Sequence, residues 1–91
     1  MTVIEMMRER LAALEPSHLE IIDDSAKHAG HAGAKSGGGH FRLTIIAPCF
    51  KDCRTMERHR LVYDSLGLMM KKEIHALSIT AKTPSEIDAN P

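Results

Sequence analysis

Residues 40–47, HFRLTIIA, set Phe41, Leu43, Ile45 and Ala47 against Arg42, Thr44 and Ile46. A period of two is the spacing of a strand with one face on a core. Residues 74–81, IHALSITA, alternate in the same way. What lies between these stretches decides the fold. From Arg54 to Lys72 apolar residues return at helical spacing through Met56, Val62, Leu66 and Met69, and Gly67 divides the run into two pieces. Strands joined by a helical crossover are usually parallel neighbours, connected in a right-handed sense. Both strands therefore begin at one edge of the sheet.

Upstream, HLEIIDD (18–24) reads as a short strand ending in Asp23, Asp24 and Ser25. Ile4, Met7, Leu11 and Leu14 share one helical face within a helix over 1–15. Thr2 and Glu5 fit a capping box at its start, and Pro16 stops it. Residues 26–39 hold five of the six glycines and read as a flexible His/Gly loop, while 82–91 read as a frayed tail. The order is αββααβ, an α+β chain with a three-stranded mixed sheet. The first two strands form an antiparallel pair, so the loop joining them lies at the edge where His40 and His75 begin their strands. His28, His31, His40 and His75 are expected to converge there.

Composition narrows the function classes. Ninety-one residues make a single domain over 1–91. Twelve basic residues balance twelve acidic ones, so no whole-molecule field draws the chain onto a phosphate backbone and nucleic-acid contact needs a local patch. MTVIEMMRER lacks the layout of a signal peptide and no apolar run approaches a membrane span, so no membrane partner is expected. Cys49 and Cys53 are too few for a disulfide framework, which makes a reducing cytoplasm the expected compartment. Nothing resembles a catalytic acid–base pair or an activated nucleophile, and the chain reads as a non-enzyme.

The stretches DDSAKHAGH (23–31), HFRLTI (40–45), RHRLVYDSL (58–66) and IHALSI (74–79), followed by AKTPSE, resemble the BolA family in family order and nearly end to end. The resemblance implies a class II KH-like fold with helices packed on one face of the sheet. It also implies a partner of monothiol glutaredoxins in [2Fe-2S] cluster assembly, trafficking or sensing, with glutathione supplied by the partner. The histidine of the IHAL motif, His75, is the implied cluster ligand. A second comes from the loop between the first two strands, where His28 in KHAG matches best, His31 can substitute and His40 is a further candidate. Some family members are described as DNA-binding transcriptional regulators. That alternative uses the helix carrying RHRLVY, with Arg54, Arg58, His59, Arg60, Lys71 and Lys72 as its contacts. The sequence departs from the family at Asp52, where glycine is usual, and lacks between its helical pieces the GxxG loop of KH nucleic-acid binders. The chain is expected to be a monomer alone, with a homodimer as the other state.

Ligand chemistry is consistent with a shared cluster. A [2Fe-2S] core needs four ligands, and two imidazoles can replace two thiolates on one iron. Two cysteines at the far end of the second strand cannot supply an all-cysteine site. Zinc is the rival at the same histidines, but it normally closes with four ligands and no CxxC or HxxxH pair is present. Cys49 and Cys53 are separated by three residues, not the two of thioredoxin spacing, and Cys49 reads as a small buried residue. His59 reads as a helix-packing residue. His75 shares a strand face with Leu77 and Ile79, which predicts partial burial. Met6, Met7, Met56, Met69 and Met70 read as core filling. Basic residues of this kind usually form a solvated surface, and only Phe41, Phe50 and Tyr63 could stack on bases.

Overall fold

The computed structural model describes residues 1–25 and 39–88. Helix α1 (Val3–Leu11) starts at Thr2, whose hydroxyl accepts the Glu5 N–H at 3.1 Å while the Glu5 carboxylate accepts the Thr2 N–H at 2.9 Å. This reciprocal box satisfies two amides that the first turn would otherwise leave bare. Strands β1 (His18–Asp23) and β2 (Gly39–Ile46) follow, then α2 (Thr55–Leu66), β3 (Ile74–Lys82) and a short α3 (Pro84–Asp88). Single 3₁₀ segments occupy Ala12–Leu14, Pro48–Phe50 and Gly67–Lys71.

The sheet order is β1-β2-β3, with β1 antiparallel and β3 parallel to β2. Ile21, Phe41, Leu43 and Ile45 bury one face of it. Met7 and Leu11 of α1, Val62 and Leu66 of α2, Phe50 and Met69 pack with them in one core. The opposite face, with Glu20, Arg42, Ser78 and Thr80 exposed, is open. The expected mixed sheet with helices on one face is therefore what forms.

Three expectations need correction. Gly39 belongs to β2 rather than to the preceding loop. Met56 is 78% exposed, because the buried stripe of α2 runs through Val62 and Leu66. Of the expected frayed tail, residues 82–88 are held instead: Lys82 ends the strand, and Thr83 and Glu86 form a second reciprocal cap on α3 (3.2 and 2.7 Å). The reading of 26–38 as a flexible loop, and with it His28 and His31, lies outside the described residues.

Two backbone positions carry local constraints. Asp52 has φ +63°, the left-handed region where a Cβ is unfavourable and glycine is at ease. Gly39 enters the sheet where a Cβ would stand 2.5 and 2.7 Å from two carbons of the Phe41 ring. Asp52→Gly is expected to raise stability by up to about 1 kcal/mol, the relief of strain being partly offset by the freer unfolded chain. Gly39→Ala should lower it by about 1–3 kcal/mol, because the buried Phe41 ring must shift. Urea unfolding midpoints of the two variants check both expectations.

A histidine pair at the open edge of the sheet

The first strand residues meet through the Gly39 N–H, which donates to the Glu73 carbonyl at 2.8 Å. Gly39 then pairs with Ile74, but the next residue, His40, pairs with Ala76. His75 is thus an extra residue, and a bulge of this kind sets two side chains on one strand against one on its neighbour. The slip lets Ile74 and Leu77, three residues apart, both face the core, with Ile74 only 1% exposed. It turns His75 onto the open face beside His40. The alternation read from sequence is overturned here: His75 is exposed and does not share the face of Leu77 and Ile79. The His40 and His75 rings lie with centres 5.1 Å apart, tilted by 46°.

His40, half-buried, is fixed from the β1 side. Its N–H donates to the Ser25 hydroxyl at 3.1 Å and its carbonyl accepts the Asp24 N–H at 2.7 Å. Asp24 pairs with the Arg42 guanidinium, and the Ser25 N–H donates to the Asp23 carboxylate at 2.8 Å. Hydrogen bonds from Ser25 hold the Asp23 carboxyl below the usual range. Ser25 and Gly39, which flank the segment carrying His28 and His31, therefore stand at the same edge. A shallow depression of about 330 Å³, lined by Asp24, His40, Arg42, Ala76 and Ser78 among others, lies on this face.

With nitrogen–metal bonds of about 2.0–2.1 Å, two imidazoles on one tetrahedral metal have ring centres roughly 5 Å apart. The pair has that spacing. Among the described residues, no three His, Cys, Asp or Glu side chains converge as a metal site. Two nitrogen donors fit part of a coordination sphere and leave the rest to other groups. Cys49 and Cys53 follow the opposite end of β2, and β2 spans roughly 25 Å at strand rise. Cys49 is exposed, not buried as the sequence suggested, although partial desolvation still pushes its thiol pKa up.

The basic residues do not form one free face. Arg58 is turned inward: it donates to the carbonyls of Cys53 (2.9 Å) and Ala81 (3.0 Å) and to the Glu86 carboxylate (2.7 Å). Its guanidinium also lies 6.0 Å from the Phe50 ring centre. Arg54 precedes α2, whereas Lys71 and Lys72 follow it, so a helix about 18 Å long separates them. Exposed Glu57 and Asp64 interrupt the remaining charge. His59 is half-buried and meets Tyr63 edge-on at 6.5 Å, a packing role as the sequence suggested. The bulge and the inward turn of Arg58 were both missed in the sequence; only the glycine before His40 hinted at an irregular strand entry.

A model of the BolA-like protein family matches residues 11–86. The chain belongs to the BolA-like family. It is 46% identical over 84 residues to the Arabidopsis thaliana protein BOLA1, chloroplastic, covering 88% of this chain and 52% of that protein. SufE-like protein 1, chloroplastic/mitochondrial, of the same plant is 44% identical over 87 residues, which cover 89% of this chain and 24% of the relative. The Escherichia coli DNA-binding transcriptional regulator BolA is 33% identical over 87 residues, covering 94% and 80%. The solved structure of BolA1 from Arabidopsis thaliana superposes with a TM-score of 0.80 at 43% identity, over 94% of this chain and 96% of that one. The chain thus spans only about a quarter to a half of the two plant relatives. No helix among the described residues is long and apolar enough to cross a membrane.

The Arg58–Glu86 contact sets an acid response. Hydrogen bonds from Arg58 first, then Thr83, lower the Glu86 pKa to about 2 from an ordinary 4.5. A depressed carboxylate stabilises the fold above its unfolded value and loses that contribution as pH falls through the folded one. Wild type should therefore exceed Glu86→Gln in urea midpoint at neutral pH. The difference should close between pH 4.5 and about 2; a gap that persists at pH 2 would assign the effect to something other than the carboxylate's charge.

Proposed function

We propose that this BolA-like chain is an iron–sulfur adaptor that docks on a monothiol glutaredoxin and contributes histidine ligands to a shared [2Fe-2S] cluster. The cluster is its cargo, with thiolate ligands and glutathione supplied by the partner. The observation that carries this reading is the His40–His75 pair: two imidazole rings whose centres lie 5.1 Å apart, the spacing that two rings on one metal would have. The bulge carries His75 on the strand itself, and ligands on rigid elements are placed more accurately than those on loops. A set of two donors is complete only when another molecule adds thiolates. His28 and His31 remain candidates for the same sphere, since the ends of their segment lie at this edge.

The second reading is DNA binding by α2, favoured by the name of the Escherichia coli relative. Against it stands the use of Arg58, central to RHRLVY, in holding Ala81 and Glu86. Salt separates the two readings, because phosphate contacts weaken steeply as salt rises while ligation depends on the histidines.

The test is to mix the protein with a cluster-loaded monothiol glutaredoxin and follow visible circular dichroism and gel filtration. A heterodimer with an altered cluster spectrum is expected. His75→Ala should diminish that signal more than His28→Ala, His31→Ala or His40→Ala alone. An unchanged spectrum without a complex would overturn the proposal, and a His75→Ala variant indistinguishable from wild type would overturn the ligand ranking.

A further inference from the structure

Strand β3 forms one edge of the sheet, bonded to β2 on one side only. The Lys82 carbonyl accepts the Ala47 N–H at 3.0 Å, which directs the backbone of even-numbered residues 76–82 toward β2. The backbone groups of Leu77, Ile79 and Ala81 then point outward. Arg58 occupies the Ala81 carbonyl. Among the described residues, none takes up the outward N–H and C=O groups of Leu77 and Ile79. The β1 edge is differently defended, with Arg8 on the Leu19 carbonyl and with Glu20 and Asp23 in the strand. From His75 to Ala81 β3 has no acidic residue, lysine, arginine or proline, the devices that keep edges apart.

We infer that β3 pairs with β3 of a second copy, antiparallel and centred on Ser78, to make a continuous six-stranded sheet in a weak homodimer. The register follows from which groups point outward. Leu77 then faces Ile79 of the second copy and Ile79 faces its Leu77, so four backbone hydrogen bonds form and Arg58 keeps its place on Ala81. The side chains agree with that pairing. Leu77 and Ile79, half-buried at the margin of the core, cover one another. On the open face Ser78 meets Ser78 and Ala76 meets Thr80, with no charge repelled. An added strand of some other protein could use the same groups, but the two-fold match of this segment with itself favours a second copy. Few residues are covered, so the association falls in the weak class of interface. In the dimer His75 lies opposite Ala81, so the two His75 residues are roughly 20 Å apart along the strands. The homodimer cannot join its two histidine pairs around one cluster.

Sedimentation of wild type, Ser78→Lys, Ser78→Glu and an equal mixture of the variants tests this. Ser78 is exposed on the open face, and circular dichroism confirms that each variant folds. Wild type should show a concentration-dependent dimer, with the Leu77 and Ile79 amides gaining hydrogen-exchange protection as concentration rises. Each single variant should weaken it by up to about fivefold, because like charges then stand directly opposite. The mixture should restore a heterodimer. Monomer throughout, or a dimer indifferent to both charges, would overturn the inference. Protection of Leu77 and Ile79 only after a glutaredoxin is added would also overturn it, by giving the edge to a heterologous strand.

Discussion

Parallel strands cannot be joined by a tight turn. To lie beside β2 in the same direction, β3 must return over the helical face through α2, and its first residues then arrive where β2 also began. That constraint is what brings His40 and His75, distant in sequence, to one edge of the sheet. The antiparallel β1 adds the ends of the intervening segment to that edge through Asp24 and Ser25. The core serves the same arrangement. Val62 and Leu66 bury the crossover helix in the same core as Leu43 and Ile45, so the return path is held by burial.

A zero formal charge conceals an uneven use of the basic residues. Arg58 secures the end of β3, the turn before α2 and the C-terminal helix together, and its side chain is only 13% exposed. A guanidinium suits this task because several donors in a planar fork can serve separate acceptors. What reads as a basic face in the sequence is thus partly an internal clamp. Arg42 is likewise engaged with Asp24 beside the histidines.

Much of the fold was legible because burial imposes periodicity. Phe41, Leu43 and Ile45 announce a strand, and Val62, Leu66 and Met69 announce a helix and its continuation. The connection rules then give the mixed sheet and the histidine edge. Individual side-chain directions were less legible. Met56 fits the helical spacing of a core residue, but spacing alone does not say which stripe meets the sheet. The cap formed by Thr83 and Glu86 is local, yet Arg58, which holds it in place, lies far upstream. His75 was misplaced for a different reason: alternation assumes an unbroken register, and the extra residue sits where no composition marks it. Asp52, by contrast, stood out as an unusual residue for its turn, and its positive φ gives that departure a physical meaning.

The bulge ties the fate of the histidine to the fate of the core. Shortening β3 by one residue at this point would restore regular pairing, but only by moving either Ile74 or the Leu77, Ile79 and Ala81 series to the wrong face. Substitution at position 75, on the other hand, leaves the backbone count untouched. A point mutation can therefore exchange the imidazole without disturbing the core, whereas a change in the strand's length disturbs its packing. Transplanting the pair into another sheet would likewise require the slipped register and the side-chain-free Gly39, since two histidines in a regular ladder would be aimed differently.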